Sequence, residues 1–328
     1  MDGEATVEAY GVYVPRLRVD ASEFENAWGG FEARGVEEKR VPEADEDAVT
    51  MAVEAIEDAL DSSSHERDDV GTLVMGTTTP PLEEGDVGAQ VAEIVGFGKS
   101  VEVVVHSQSA RAGVRSVLTA ASAAEDGEGV AIAVAADCPF GTPDDSIDHA
   151  GGAGAVAFVV CAGDDDCAVS IEETASYTQE FSGTRFRERG EKEVEKYGAT
   201  AYERDAYTTV VSEAFGAAVD DTDANVALAP TAPDADMPYR AGRETDAEVY
   251  ETASSLGDTG AASALFGILK AWKSGEEEVI AVGYGDGASA DAVRLVGSLS
   301  GEWGRDAEDI SYAEYLRRRG HIVEGGDD

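Results

Sequence analysis

The strongest constraint on the fold is a pattern that occurs twice along the chain. In the first half, SARAGVRSVLTA leads into the apolar run VAIAVAAD, a glycine-rich turn and AVAFVV. In the second half, GDTGAASALFGILKAW leads into VIAVGYGDG and AVRLV. The offset from Ser109 to Val130 equals the offset from Asp258 to Val279. Two related strand–helix–strand halves predict a duplicated, layered α/β architecture with a site between the two helix N-termini.

The first copy contains a strand that runs directly into a helix. Val101 to Val105 is rich in valine, which favours a strand, and Ser107 to Ser109 supply turn and cap residues. We expect the helix to begin near Ser109 or Ala110, with Ser109 as its cap. Such a helix start presents free N–H groups and the positive end of the helix dipole, which would activate a nucleophile. The stretch contains no cysteine.

The charge of the chain is strongly acidic. It has 68 aspartates and glutamates against 24 lysines and arginines, a formal net charge of −44 at pH 7. Acids spread along the whole length predict a halophilic protein that stays soluble in very high salt, where screening suppresses self-repulsion. The rival interpretation, an acidic chain that mimics nucleic acid or binds basic partners, fits less well because the acid blocks resemble turns and solvated rims. The composition argues against a basic patch for nucleic acid.

The cysteines are Cys138, Cys161 and Cys167. They are too few and wrongly spaced for a zinc site, and their odd number argues against a disulfide framework, so we expect no metal and a reducing, cytoplasmic location. The first ten residues have neither a basic region nor an apolar run, which argues against a signal peptide. No apolar stretch reaches the length of a membrane span, so we expect no membrane association.

Ordered motifs along the chain resemble the thiolase superfamily, and within it archaeal 3-hydroxy-3-methylglutaryl-CoA (HMG-CoA) synthase. The motifs are YGVYVPRLRV, EKRVPEADEDAVTMAVEA, ASYTQEF, GDTGAASAL and VGYGDGASADA, between Tyr10 and Ala292. The resemblance extends over nearly the whole chain. It implies a five-layer α-β-α-β-α fold from two duplicated halves (residues 1–170 and 171–328), usually dimeric, that handles acyl-CoA thioesters.

The same resemblance implies a catalytic cysteine, a glutamate acid/base and histidines that stabilise an oxyanion. The cysteine of the family motif A-C-K-A-G corresponds to Ala110, and the glutamate of the G-S-E-S loop to Thr78. The histidine of A-Y-F-K-H corresponds to Asp205, and the histidine before P-N-G-K-F-P to Thr231. The asparagine of G-N-T corresponds to Asp258. Replacement of all five of these residues predicts that the chain has lost the condensing reaction of the family.

Substitute catalytic groups are nevertheless conceivable. Ser109 would need a base, and His106 is near it in sequence; the plainer interpretation is that Ser109 caps the helix. Cys138 follows a buried strand and is the thiol nearest the expected site, although a buried small hydrophobe is the plainer interpretation. Asp205 and Asp258 could form a carboxylate pair across the pocket, one with a raised pKa.

The sequence therefore predicts an HMG-CoA synthase-like protein with a degenerate active site, acting as an acyl-CoA-binding or scaffold subunit. It needs no cofactor, and a CoA thioester is the candidate ligand. The alternative is an acyltransferase that uses a non-standard nucleophile. A structural protein with a filled pocket is a third option. The resemblance also implies a homodimer, with a thiolase and a zinc-ribbon/OB-fold protein as partners.

Overall fold

The computed structural model describes residues 4–127, 129–163, 169–219, 226–287, 289–301 and 303–322; Cys167 lies outside these ranges. The strands are β1 (Ala5–Tyr13), β2 (Leu17–Asp20), β3 (Glu38–Val41), β4 (Val70–Gly76), β5 (Glu102–His106), β6 (Val130–Asp137), β7 (Gly154–Ala162), β8 (Val169–Thr178), β9 (Ala227–Pro230), β10 (Glu278–Gly285), β11 (Ser289–Gly297) and β12 (Glu308–Asp309). The helices are α1 (Ala21–Trp28), α2 (Ala48–Asp61), α3 (Val87–Val95), α4 (Ala112–Glu125), α5 (Ser146–Ala150), α6 (Thr200–Ala218), α7 (Met237–Thr245), α8 (Ala253–Leu256), α9 (Ser263–Ser274) and α10 (Tyr312–Arg318). Short 3-10 turns cover Arg67–Asp69 and Gly260–Ala262.

The large sheet repeats one strand arrangement on its two sides. Its order is β5-β4-β6-β7-β1-β8-β11-β10-β9, and β1 meets β8 through two residue pairs, Thr6 with Ser170 and Val7 with Val169. In the first half, β4 and β6 are parallel, and β7 is antiparallel to both β6 and β1. In the second half, β9 and β10 are parallel, and β11 is antiparallel to both β10 and β8. The sequence repeat is therefore a structural repeat.

Helices separate and cover the two halves of the sheet. Val117 of α4 and Leu265 of α9 belong to one buried core with side chains from both halves, so these helices form the central layer. Ile56 of α2 packs in a second core on the outer face of the first half. Val211 of α6 packs in a third core on the outer face of the second half. The predicted five-layer α-β-α-β-α fold is confirmed.

A small sheet of β12, β2 and β3 lies beside these layers and carries an aromatic cluster. The Lys39 ammonium lies 4.9 Å from the Phe24 ring centre and 4.4 Å from that of Tyr315. Burial lowers the pKa of Lys39 to about 8, although Asp148 opposes the effect. No helix in the described ranges has both the length and the apolar character that crossing a membrane requires.

Candidate active site

The first helix start lies later than the sequence predicts. The first residue of α4 is Ala112 with Arg111 at the cap position, and Gln108 in the preceding turn has a left-handed φ of 73°. Ser109 does not cap the helix with its side chain. Its carbonyl accepts from the Ala112 N–H at 2.9 Å, while its Oγ is buried and makes no hydrogen bond within the described residues. Ala110 is 6% exposed.

A buried carboxylate that local sequence patterns do not predict joins the two halves. Asp137 ends β6, is fully buried, and accepts hydrogen bonds from Thr77, Thr78 and Thr79 at 2.7–2.9 Å. Its Oδ2 also accepts from the Ala261 N–H at 2.7 Å, in the turn before α9. Six donors in all make a buried carboxylate tolerable. The sequence signal was an aspartate that ends an apolar strand, together with three consecutive threonines that follow another.

The two helix starts touch through a glycine. A Cβ on Gly113 would lie 1.8 Å from the carbonyl oxygen of Ala261, far closer than van der Waals contact allows. Only glycine fits this approach without movement of the backbone. The N-terminal end of α4 and the turn that leads into α9 therefore meet where the repeat pattern expects a site.

Asp258 is held by an arginine from a distant segment. It is 2% exposed, its Oδ1 accepts from the Gly260 N–H at 2.9 Å, and its Oδ2 lies 2.5 Å from Nη1 of Arg185. Nε of Arg185 also lies 4.0 Å from Oδ2 of Asp286. Burial alone would lower the pKa of Arg185, but the two carboxylates raise it above its usual range. Burial raises the pKa of Asp286 to about 6, although Arg185 opposes the effect.

The segment that supplies this arginine covers the site. The high charge of the stretch from Gly183 to Tyr202 predicts an excursion over the surface, yet the Arg185 side chain is only 15% exposed. Arg187 donates to the Thr78 carbonyl at 2.7 Å, and the Val194 N–H donates to the Phe140 carbonyl at 3.1 Å. We call residues 183–198 the covering segment. Most of this segment is exposed, but buried acids draw Arg185 inward.

The proposed carboxylate pair does not form. Asp205 lies on α6 and is exposed, whereas Asp258 is buried and has Arg185 as its partner. Thr231 is 2% exposed, and its Oγ1 accepts from the Tyr284 N–H at 3.1 Å while its carbonyl accepts from the Tyr207 hydroxyl at 2.6 Å. Thr231 is therefore engaged in structural hydrogen bonds.

Neither Cys138 nor Ser109 is hydrogen-bonded to a base among the residues that the structure describes. Cys138 is partly buried, its Sγ lies 3.7 Å from Oγ1 of Thr79, and burial raises the pKa of its thiol. Nε2 of His106 lies 2.9 Å from Oγ1 of Thr119. Burial lowers the pKa of His106, and the positive charge of Arg115 adds a smaller lowering effect. No contact joins His106 to the buried Ser109 oxygen within the described residues.

A cavity of about 520 Å³ opens beside Asp258 and extends under the covering segment. Ala110 and Thr78 are not among its lining residues. Its cationic lining residues are Arg34, Arg185, Lys196, Arg204 and Arg240. Its acidic lining residues are Glu32, Glu203, Asp234, Asp236, Asp258 and Asp286. The lining is therefore mixed in charge, and three of its cations, Arg185, Lys196 and Arg240, are paired with its acids.

Comparison with known proteins agrees with this architecture. The hydroxymethylglutaryl-CoA synthase of Methanopyrus kandleri is 26% identical over 345 residues, with 95% of this chain and 96% of that protein covered. The enzyme of the same name from Methanosarcina mazei is 27% identical over 348 residues, with 96% and 98% covered. No family model matches the chain.

Solved structures share the fold. MvaS in complex with 3-hydroxy-3-methylglutaryl coenzyme A superposes with a TM-score of 0.82 at 18% identity, covering 97% of this chain and 92% of that chain. The 3-oxoacyl-(acyl carrier protein) synthase III FabH from Pseudomonas aeruginosa PAO1 gives 0.80 at 18% identity, covering 91% and 100%. Fold and sequence similarity thus place the chain in the thiolase superfamily. Within that superfamily the chain is HMG-CoA synthase-like, as its motifs predict.

Proposed function

We propose that this chain is an acyl-CoA-binding or scaffold subunit that has lost the condensing reaction of its relatives. Ala110, in the turn that leads into α4, carries the proposal, because a methyl group cannot attack a thioester. The resemblance puts Thr78 where a glutamate would act as acid or base, and Thr231 where a histidine would act. The Thr78 hydroxyl donates a hydrogen bond to Asp137, and the Thr231 hydroxyl accepts one from the Tyr284 N–H.

The alternative, an acyltransferase with a non-standard nucleophile, lacks support in the geometry. Ser109 has a buried hydroxyl that makes no hydrogen bond to any base in the described part of the chain. Cys138 has a thiol whose pKa is raised by burial, which disfavours the reactive thiolate. The carboxylate of Asp258 is neutralised by Arg185. None of these side chains pairs a nucleophile with a base, which covalent catalysis requires.

The cavity supports a CoA thioester as the ligand. Five of the chain's 24 lysines and arginines line it, although acidic residues outnumber basic ones almost threefold. Arg185, Lys196 and Arg240 are paired with acidic residues of the same lining. Arginine binds phosphate oxygens through paired N–H donors, so Arg34 and Arg204 are the lining residues that we propose for the phosphates of CoA. One structural neighbour is an HMG-CoA synthase complexed with CoA, at a TM-score of 0.80 and 13% identity.

The assembly is part of the same proposal. β5 is the end strand of the large sheet, and Val105 on β5 and Ile94 on α3 are 36% and 59% exposed. An apolar sheet edge of this kind invites pairing with a second copy. The proposal therefore includes a homodimer. The family resemblance adds a thiolase and a zinc-ribbon/OB-fold protein as further partners. A cytoplasmic location in a halophilic host completes the proposal, because the cysteine content and the acidic composition favour them.

Two measurements test the proposal. Titration calorimetry with CoA should detect binding, and Arg34→Ala combined with Arg204→Ala should weaken it, whereas Arg67→Ala, outside the cavity, should not. Incubation with radiolabelled acetyl-CoA should leave no acyl-enzyme on the wild-type chain. A stable acyl-enzyme would overturn the loss of condensing chemistry. No heat at millimolar CoA would overturn the binding role.

A further inference from the structure

A second cluster of reactive side chains lies outside the lining of the cavity, where β1, β7 and the loop after α2 meet. Thr6 pairs with Cys161 and Val7 with Val160, but Ala9 pairs with Val159, so Glu8 is the extra residue of a β-bulge. Val7 packs in the central core and Ala9 in the outer one, which shows that the strand changes faces here. A bulge of this kind re-aims a side chain, in this case that of Glu8.

The loop after α2 closes around the Glu8 carboxylate. The Ser64 N–H donates to Oε1 at 2.8 Å, and the Ser63 hydroxyl donates to Oε2 at 3.2 Å. Nε2 of His65 lies 3.1 Å from Oε2, and Nδ1 of the same ring lies 4.0 Å from Oδ2 of Asp69. The imidazole is therefore held between two carboxylates, with one nitrogen directed at Glu8.

The thiol of Cys161 completes the group. One donor atom from each of Glu8, His65 and Cys161 lies within 4.8 Å of the other two. Ligand atoms around a tetrahedral zinc ion are about 3.3–3.6 Å apart, given bonds of about 2.0–2.3 Å. Small side-chain rotations therefore suffice to bring all three atoms onto one ion. The side chains of His65 and Glu8 are 32% and 23% exposed, which leaves an entry path from solvent.

We propose that Glu8, His65 and Cys161 bind a divalent transition metal of the zinc class. Sulfur, imidazole and carboxylate donors are the set that such ions select over magnesium or calcium. Asp69 would orient the imidazole as a positioning residue, since metal-bound histidines commonly donate their other N–H to a carboxylate. Binding replaces the thiol proton of Cys161, which leaves to solvent. The ion would tie β1, β7 and the loop after α2 together and leave a fourth position for water.

The spacing of the cysteines could not reveal this site. Glu8, His65 and Cys161 are far apart in sequence, and only one of the three cysteines takes part. The number and spacing of the cysteines do not predict zinc, whereas the fold gathers three different donor types. The proposal is independent of any role in CoA binding.

Cobalt(II) provides the direct test, because a thiolate ligand gives it a charge-transfer absorption. The full chain, titrated with Co²⁺ in molar KCl to screen adsorption on the acidic surface, should show this band at one ion per chain. Zn²⁺ should displace the Co²⁺ and raise the unfolding temperature. Cys161→Ser should abolish the band, and His65→Gln should weaken Zn²⁺ binding more than about tenfold.

Matched variants make the result decisive. Cys138→Ser and Cys167→Ser should keep the band, and His106→Gln should keep the Zn²⁺ affinity. Circular dichroism of each variant checks that it folds. Absence of the band in the wild-type chain would overturn the proposal, as would its survival in Cys161→Ser or its loss in Cys167→Ser.

Discussion

Nη1 of Arg185 lies 2.5 Å from Oδ2 of Asp258, and both residues line the cavity. Both side chains are largely buried, so each charge depends on the other. The family motif has asparagine at position 258, which carries no charge. The aspartate and the arginine of the covering segment therefore act as one unit.

We predict that Arg185→Met destabilises the protein strongly. It leaves Asp258 and Asp286 without their cation, and removal of one partner from a buried ion pair typically costs about 3–5 kcal/mol. Asp258→Asn in the Arg185→Met background should recover part of this loss. Urea unfolding of the two single variants and the double variant measures the coupling between the residues. Additive effects would show that the pair is not a unit.

The raised pKa of Asp286 predicts a pH-dependent stability. Its pKa is about 6 in the folded protein against an ordinary value of 3.8, so the folded state holds this proton more tightly than the unfolded state. Its contribution to the free energy of unfolding falls as pH rises from about 4 to about 6, by at most about 3 kcal/mol. Asp286→Asn cannot lose this proton. The free energy of unfolding of the variant minus that of the wild type should therefore increase as the pH rises from about 4 to about 6.

Asp205→Asn is the matched control, because it removes an exposed acid from the same region. Urea unfolding of the three proteins between pH 4 and 7 separates the local effect from that of the large overall charge. Equal pH profiles for the two variants would show that burial of Asp286 is not the cause.

Asp137 is expected to be essential for folding. Asp137→Ala leaves the donors of Thr77, Thr78, Thr79 and Ala261 without an acceptor, and hydrogen bonds to charged groups contribute about 1.5–3 kcal/mol each. The loss should exceed about 4 kcal/mol in urea unfolding, with a smaller loss for Asp137→Asn, which keeps the shape and one acceptor oxygen. Equal small losses for both variants would contradict this role.

The exposed edge of β5 predicts the mode of dimerisation. Val105→Lys introduces charge on this edge and should shift the protein to monomers in analytical ultracentrifugation. Tyr197→Lys, at a 74% exposed position in the covering segment, adds the same charge elsewhere and should leave the dimer intact. A dimer that survives Val105→Lys would exclude this edge as the contact.

The net charge of −44 predicts that salt stabilises the fold. Like charges repel more strongly in the compact state, and salt near molar concentration shortens the screening length to about 3 Å. The urea midpoint should therefore rise from dilute buffer to molar KCl. Sucrose of equal osmolarity controls for solvent exclusion. Full stability in dilute buffer would contradict the halophilic interpretation.

The layered fold was predictable because it is encoded in local patterns. Apolar strands such as Val130 to Asp137 and the repeated helix starts specify elements whose order leaves few ways to bury them. The start of α4 was placed too early because Ser109 is a typical cap residue, whereas the structure uses its carbonyl and not its hydroxyl.

The polar contacts of the site were not predictable in the same way. Asp137 gathers donors from segments far apart in sequence, which no local pattern reveals. Arg185 stands in a charged run, where solvent exposure is the ordinary expectation. Its burial depends on Asp258 and Asp286, and that dependence exists only once the chain has folded.

The backbones of Gly113 and Ala261 can touch only because position 113 has no side chain. Backbone, not reactive groups, thus fixes the distance between the two copies of the repeat at their junction. Catalytic side chains can be exchanged around such a junction without shifting it. The fold can consequently be retained while the catalytic residues change. A shared fold is therefore a poor guide to the reaction that a protein of this superfamily catalyses.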